Sequence, residues 1–184
     1  MTTARLELDL ASPQQLLSDL WDEHIRDEFA LKDASAAVDT MVPDAYVNHV
    51  PVLTGGFGRE ELREFYSNHF IPQIPADIEI TPISHTIGHE RLVDEMIISF
   101  THDIEIDWML PGIAPTGKRV ECATVAIVQF RDGKLYNEHI YWDQASVLVQ
   151  LGLLDSDKLP IAGVETARKV LEPALPSNRL MDRR

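Results

Sequence analysis

Three side chains that can move protons occur at every second position near the end of a long hydrophobic segment. His139, Tyr141 and Asp143 alternate in the stretch FRDGKLYNEHIYWDQ. Because side chains along a β-strand repeat with period two, all three are predicted to project from one face of a strand. The Asp-Gly pair before them predicts a tight hairpin turn, since glycine takes the positive φ that such a turn needs. An imidazole, a phenol and a carboxylate on one face could line a pocket and act as general acids or bases.

Asp143 admits two roles at the junction between this strand and the apolar helix that follows. Burial beside that helix would suit its carboxyl group to proton transfer. Alternatively, the carboxylate caps the helix by accepting a backbone N–H bond, which is a common use of Asp at such a junction. His139 is either the partner of Asp143 or a hydrogen-bonded core histidine. The spacing leaves both pairs of alternatives open.

Two further segments carry polar side chains in apolar strands. Asn48 and His49 end the predicted strand that begins near Tyr46, and they need hydrogen-bond partners if they are buried. A ligand or the backbone of a neighbouring loop could supply those partners. His102 follows Phe100 on one face of a long predicted strand, and it lies either in a pocket or in the core.

The composition excludes several classes of function. The chain has 184 residues, with 16 basic and 30 acidic residues and a formal net charge of −14. This balance argues against binding to nucleic acid or to an anionic membrane. Cys122 is the only cysteine, so no disulfide within the chain is expected, and the absence of a signal sequence or an 18-residue apolar run predicts a cytoplasmic protein.

No metal or cofactor site is predicted from the motifs. His85 and His89 have the i, i+4 spacing of a helical zinc pair, but Gly88 argues against a helix there. Cys122 lacks the context of a nucleophile, and the glycine patterns of phosphate-binding loops and of dinucleotide-binding folds are missing.

The order of elements predicts an α+β fold. A helix should begin at Pro13 after an N-cap at Ser12, and a second should cover residues 31–42. Strands are expected near residues 45–50, 78–83, 92–106 and 119–130, followed by the hairpin strand, with a helix after a glycine-rich loop at 55–58 and two more near 144–151 and 164–171. Four or five mostly antiparallel strands would then curve around a pocket closed by the helices. We expect a lead-in over residues 1–12, a domain over 13–154 and a C-terminal helical extension over 155–184.

Several motifs in a fixed order resemble the SnoaL-like polyketide cyclase group of the NTF2-like superfamily. They are YVNHVP from Tyr46, REELREF from Arg59, PTGK from Pro115, FRDGKL from Phe130, EHIYWD from Glu138 and QLG from Gln150. The resemblance extends from about Leu16 to Leu154.

This resemblance implies a cone-shaped α+β fold that encloses a hydrophobic pocket, and a homodimer packed through its sheets. It implies no metal, flavin or nucleotide. Cyclases of this group close a polyketide ring by an intramolecular aldol step, with an Asp as general acid/base and a His and an Asn that polarise the substrate. Asp143 matches that Asp by position. His49 and Asn48 match the pocket-lining motif of the first strand, and His139 and His102 are the candidates for the family's other His. The expected substrate-binding residues are Asn48, His49, Tyr46, Phe65, Phe100, Tyr141 and Trp108.

The sequence thus predicts a cofactor-independent cyclase or isomerase that acts on a hydrophobic, carbonyl-bearing small molecule. The alternative is a non-catalytic module of the same fold that binds a small molecule or forms a dimer. In that alternative, Asp143 caps the next helix and no cavity lies beside it.

Overall fold

The computed structural model of the chain describes residues 12–182. Its helices are α1 (Pro13–Arg26), α2 (Ala34–Asp39), α3 (Gly58–Glu64), α4 (Gln144–Gln150) and α5 (Glu165–Leu171). Its strands are β1 (Met41–His49), β2 (Thr54–Phe57), β3 (Glu79–Ile87), β4 (Arg91–Thr101), β5 (Arg119–Arg131) and β6 (Lys134–Trp142). A wider π-helical turn extends α1 over Asp27–Leu31 and α3 over Phe65–Phe70, and 3₁₀ turns cover Ile71–Gln73 and Arg179–Asp182.

The six strands form one curved sheet in the order β2-β1-β6-β5-β4-β3. The neighbours β1 and β6 are parallel, and every other pair is antiparallel. The predicted α+β class with N-terminal helices across a curved, mostly antiparallel sheet is confirmed. The expected count of four or five strands was too low because the glycine-rich segment, predicted as a loop, forms β2 and pairs with β1.

The first helix begins as predicted. The Ser12 hydroxyl accepts a hydrogen bond from the backbone N–H of Gln15 at 3.1 Å, and Pro13 occupies the first turn. The second helix is shorter than expected, because Asp33 caps it by accepting bonds from the backbone of Ser35 and Ala36. The chain then enters β1 at Met41, well before the position expected for this strand.

The fourth strand ends at Thr101 instead of continuing to residue 106. Beyond it the chain turns into a loop, where the backbone of His102 bonds to Thr116, Gly117 and Lys118 on the returning segment. Asp77 holds the strand end by accepting bonds from the backbone N–H and the hydroxyl of Thr101.

The hairpin between β5 and β6 is confirmed, with both turn residues, Asp132 and Gly133, at positive φ. A register shift follows the turn, because Gln129 pairs with Asn137 and Phe130 pairs with Leu135. Tyr136 is the extra residue of this bulge. Strict alternation along β6 therefore begins only after the bulge.

The core lies between the sheet and the helices. Its fully buried large side chains include Met41, Leu62, Tyr66, Leu92, Phe100 and Leu135. The segment after α4 folds back onto the sheet, where Arg168 of α5 pairs with Glu121 of β5 at 2.6 Å. Within residues 12–182, no helix combines the length and apolar character that a membrane span requires.

Candidate functional site

A cavity of about 520 Å³ lies between the sheet and the N-terminal helical segments. Inward-facing residues of β1, β4, β5 and β6 form one wall, and the π-helical turns after α1 and α3 contribute to the other. The lining is mainly apolar, and its aromatic members are Trp21, Phe29, Phe65, Tyr66, Phe70 and Trp108. Such a wall suits a hydrophobic small molecule.

Four buried polar side chains converge at this wall, and we call them the inner cluster: His24, Glu28, Tyr66 and Glu138. The Nε2 atom of His24 lies 3.0 Å from an oxygen of Glu28 and 3.1 Å from an oxygen of Glu138. The Tyr66 hydroxyl lies 3.3 Å from the same Nε2 and donates to Glu138 over 3.4 Å. Glu28, Tyr66 and Glu138 line the cavity, so the cluster can reach a ligand.

The sequence explains how this cluster forms. His24 and Glu28 are four residues apart, and side chains at that spacing share one face of a helix. Trp21 precedes His24 by three positions on the same face, and the two rings stack at 5.7 Å. Glu138 follows the bulge in β6, which directs its side chain toward the helices. Three elements that are distant in the chain thus meet at one buried point.

Three members of the inner cluster have pKa values that are raised by their surroundings. Burial alone would lower the pKa of His24, but the Glu28 and Glu138 carboxylates outweigh it and hold that pKa well above 6.5. Burial raises the pKa of Glu28 above 4.5, and the Glu138 charge adds to this effect while His24 opposes it. Burial and the two carboxylates raise the pKa of Tyr66 above 10. His24, Glu28 and Tyr66 therefore hold their protons more tightly than exposed groups of the same types, and short distances connect them.

The second ring nitrogen of His24 is held by a residue at the C-terminal end of α2. Nδ1 lies 2.8 Å from the Thr40 hydroxyl, which in turn donates to the carbonyl oxygen of Ala37 at 2.7 Å. Because that hydroxyl hydrogen is used, Nδ1–H donates to the Thr40 oxygen. This bond fixes the imidazole and leaves Nε2 facing the two carboxylates.

His49 stands in the cavity wall among aromatic rings. Phe65, Phe70, Trp108 and Trp142 all have ring centroids within 5.9 Å of its imidazole. Burial lowers the pKa of His49 to about 4, so the ring is neutral at physiological pH. Its Nδ1 atom is buried and has no hydrogen-bond partner in the part of the chain that the structure describes.

Four further side chains form a hydrogen-bonded group at the edge of the cavity. We call them the rim cluster: Ser18, Trp21, His85 and Asp94. Asp94 accepts a hydrogen bond from the Trp21 indole N–H at 2.6 Å, and its other oxygen lies 2.6 Å from Nδ1 of His85. Nε2 of His85 lies 3.1 Å from the Ser18 hydroxyl. Trp21 touches both clusters, because its ring also stacks on His24.

A family model described as SnoaL-like polyketide cyclase matches residues 15–151 of the chain. The chain belongs to this family. No curated protein matches the chain at a significant level.

Solved structures show the same fold at low identity. A candidate SnoaL-like polyketide cyclase from Jannaschia sp. is 16% identical with a TM-score of 0.60, and the match covers 80% of this chain and 99% of that one. AclR, a candidate hydroxylase from Streptomyces galilaeus, is 20% identical with a TM-score of 0.59 over 77% of this chain and 88% of its own. SalBIII, described as an epoxide hydrolase/cyclase-like enzyme in pyran ring formation in the polyether salinomycin, is 17% identical with a TM-score of 0.53, covering 70% and 92%. These likenesses establish the NTF2-like, SnoaL-like fold.

Of the substrate-binding residues predicted from the sequence, the SnoaL-like fold places His49, Phe65 and Trp108 in the cavity wall. The others lie elsewhere. Phe100 is fully buried in the core, and Tyr141 is exposed. Tyr46 and the half-buried Asn48 do not line the cavity. The Tyr46 ring packs on the outer side of β6 against Tyr136 and His139.

The three predicted catalytic residues lie outside the cavity. Asp143 is exposed and caps α4, where its carboxylate accepts a bond from the backbone N–H of Ser146 at 3.1 Å. Nε2 of His139 lies 3.1 Å from the Tyr46 hydroxyl on the outer face. His102 is buried in the loop after β4, with Nδ1 at 3.2 Å from the Thr116 hydroxyl. The His139 face of β6, which the sequence left as one possible pocket wall, does not line this cavity, because Glu138 and Ile140 do. The catalytic roles of Asp143, His139 and His102 stay predictions.

The inner cluster was missed from the sequence, although one signal was present. His24 occupies an apolar helical stripe, and Glu28 follows it at the spacing of a helical ion pair. A histidine and an acid at that spacing within an apolar stripe indicate a buried pair. Nothing local to Glu138 marks it, since its burial depends on which face of β6 meets the helices.

The inner cluster could also hold a metal ion by distance alone. The ligand atoms of His24, Glu28 and Glu138 all lie within 4.8 Å of one another. Hydrogen bonds among these side chains satisfy the same atoms without an ion. The expectation that the protein uses no metal stays a prediction.

Proposed function

We propose that this SnoaL-like protein is a cofactor-independent cyclase or isomerase that acts by acid/base catalysis on a hydrophobic, carbonyl-bearing molecule. One observation carries the proposal, which is that the buried side chains of Glu28, Tyr66 and Glu138 line a mainly apolar cavity. Buried titratable groups with shifted pKa values beside a cavity are typical of sites that transfer protons.

The proposed chemistry uses Glu138 as the base and Glu28 as the acid. Glu138 removes a proton from the carbon next to a carbonyl group, and the C–H electron pair becomes the enolate. In a cyclase, the enolate carbon then attacks a second carbonyl carbon, whose oxygen takes a proton from Glu28 as the Nε2–H proton of charged His24 passes to Glu28. The raised pKa of Glu28 fits this role, because it makes the carboxylate a better acceptor of the His24 proton than an exposed Glu would be.

His24 would restore the cluster after each cycle without touching the substrate. The reaction leaves an extra proton on Glu138 and removes one from His24 by way of Glu28. Both carboxylates lie within 3.1 Å of the same Nε2 atom, so the proton on Glu138 can return to the imidazole and restore the starting state. In this scheme His24 positions the two catalytic carboxyl groups and relays the proton between them.

The experiment that tests the proposal is exchange of α-protons into D₂O, followed by NMR with the bicyclic ketone 2-tetralone as the probe. We expect exchange above the buffer rate in the native protein and a loss of about 10²–10⁴-fold of that excess in Glu138→Gln and Glu28→Gln. Chelation with EDTA should leave the rate unchanged, and a loss on chelation would instead favour a metal at the inner cluster.

Asp143→Asn is the matched control, and it also tests the sequence-based assignment. Asn caps helices about as well as Asp, so the variant keeps the cap of α4. We expect its exchange rate to equal that of the native protein. A loss in Asp143→Asn together with full activity in Glu138→Gln would refute the inner cluster and restore Asp143 as the base.

A ligand-binding module without turnover is the second candidate, and two observations favour it. Asp143 serves as a helix cap, and the two cavity carboxylates already form ion pairs with His24. This candidate predicts that 2-tetralone binds but exchanges only at the buffer rate.

The homodimer implied by the family is also proposed for this chain. The outer sheet face that would support it carries Tyr46, Tyr136 and Tyr141, which are half-buried or exposed. Light scattering would test it, since a dimer has twice the 20.8 kDa mass of the chain.

A further inference from the structure

The hydrogen-bond donors and acceptors along the cavity wall are unequally available. The side-chain donors are already bonded within the protein: Trp21 to Asp94, Tyr66 to Glu138, Ser84 to Glu95, Trp108 to the Gln73 carbonyl, and Thr124 to the Cys122 carbonyl. The carboxylates have capacity left, because each ionised group offers about four lone-pair sites. A ligand in this cavity therefore meets more free acceptors than free donors.

The charges along the wall have one sign. Within residues 12–182, five carboxylate residues line the cavity, namely Asp22, Glu28, Asp94, Glu95 and Glu138, and no Lys or Arg does. The net charge of −14 adds a background field of the same sign. An anionic ligand would meet repulsion and would find few donors, whereas a cation would meet attraction at several points.

His49 supplies an independent sign that the cavity holds a ligand with a hydrogen-bonding group. Its side chain is 4% exposed, lines the cavity, and has an Nδ1 atom with no partner among residues 12–182. Burial lowers the pKa of the ring to about 4, so the ring is neutral at physiological pH and has one donor and one acceptor nitrogen. In the tautomer that carries its hydrogen on Nε2, Nδ1 accepts a hydrogen bond from a ligand N–H or O–H.

The two ends of the cavity are far enough apart to hold different groups of one molecule. Asp94 pairs across β4 and β5 with Ala126, which pairs with Ile140 on β6, two residues from Glu138. Two strand spacings and two residues along a strand place the Cα atoms of Asp94 and Glu138 about 12 Å apart. Aromatic side chains also line the cavity wall, and their ring faces attract organic cations.

We propose that the cavity selects a hydrophobic molecule that carries a protonated amine, with the ammonium group at Asp94 and Glu95 and the apolar body against the aromatic wall. The proposed preference for a cation over an anion rests only on the residues that line the cavity. The further placement of a carbonyl group at Glu138 rests on the proposed function.

Calorimetric titration with three molecules of one shape tests this proposal. The probes are 4-phenylbenzylammonium, 4-phenylbenzyl alcohol and biphenyl-4-carboxylate, which differ mainly in charge. At low ionic strength we expect the cation to bind at least about tenfold more tightly than the alcohol, and the carboxylate to bind most weakly. High salt should narrow the gap, because it screens the attraction of exposed carboxylates.

Variants locate the ammonium group. Asp94→Asn and Glu95→Gln should each weaken binding of the cation several-fold and leave binding of the alcohol unchanged. Glu90→Gln is the matched control, because Glu90 lies in the same β3–β4 hairpin but does not line the cavity. Using two variants protects the test, because Asp94→Asn also changes the partners of Trp21 and His85. Equal or tighter binding of the alcohol or the carboxylate, or unaltered cation binding in both variants, would overturn the proposal.

Glu138→Gln separates this proposal from the proposed function. The variant should keep cation binding within about threefold and lose α-proton exchange. Cation selectivity without exchange in the native protein would refute only the catalytic proposal, and exchange without cation selectivity would refute only this one.

Discussion

Replacing His24 with Phe should expose the energetic role of the inner cluster. The Phe ring can keep the stacking position between Trp21 and Tyr66, whose centroids lie 5.7 and 5.9 Å from that of His24. It cannot donate to Glu28 or Glu138, which lie 3.0 and 3.1 Å from Nε2. Two buried carboxylates would then face each other without a cation.

The expected loss at pH 7 is about 3–5 kcal/mol of unfolding free energy, which is typical when one partner of a buried ion pair is removed. In the native protein the raised pKa of His24 makes its contribution complete below 6.5, and this contribution is lost as the pH rises through the raised value. In the variant, one carboxyl group must take up a proton on folding. Its stability should therefore rise by about 1.4 kcal/mol for each pH unit between pH 7 and 5. The native protein gains a smaller amount over the same range, so the deficit relative to it should shrink by about 2 kcal/mol at pH 5.

Urea unfolding followed by tryptophan fluorescence measures this loss. With a slope of about 2 kcal/mol per molar, the midpoint should fall by about 2 M at pH 7. His89→Phe is the control, because His89 is 93% exposed and its replacement should change stability by no more than about 0.5 kcal/mol. Adding Glu28→Gln to His24→Phe should recover part of the loss by removing one charge. A deficit under about 1 kcal/mol at pH 7, or one that does not shrink at pH 5, would refute the buried ion pairs.

Two further predictions concern residues next to the cavity. Gly55→Ala should lower the unfolding free energy by more than about 2 kcal/mol in the same urea assay, because φ is +140° and an added Cβ would lie 2.0 Å from the Val47 carbonyl oxygen. Gly88→Ala is the control and should be near neutral, because the nearest atom to its added Cβ lies at 3.5 Å. His49 should stay neutral in an NMR pH titration down to a pKa of about 4, because burial opposes its charge, and a midpoint near 6.5 would contradict the burial of its ring.

Local chemistry made part of the fold predictable from the sequence. The N-cap at Ser12 with Pro13 and the turn at Asp132 and Gly133 depend on neighbouring residues alone, and both appear as expected. The family resemblance also rests on motifs of this kind, many of which mark turns and strand ends. These two local signals are therefore placed correctly, while strand ends such as Thr101 depend on partners elsewhere in the chain.

The candidate site was harder to predict because it depends on which face of β6 points inward. Period two groups His139 with Tyr141 and Asp143, but both faces of β6 contain polar and aromatic residues. The bulge at Tyr136 and the packing of α1 decide the orientation, and neither leaves a local signal. Glu138 was consequently overlooked, although it is adjacent to the histidine that drew attention.

Stability alone gives no reason to bury His24, Glu28 and Glu138 together. Removing several charges from water costs free energy, and apolar side chains of similar volume often stabilise a core equally well or better. The hydrogen bonds from Thr40 and Tyr66 reduce that cost without removing it. The same cluster touches a cavity, and it can pass a proton between two carboxyl groups over short distances. A cluster that a core does not need, at a place where a ligand can reach it, supports the proposed acid/base function.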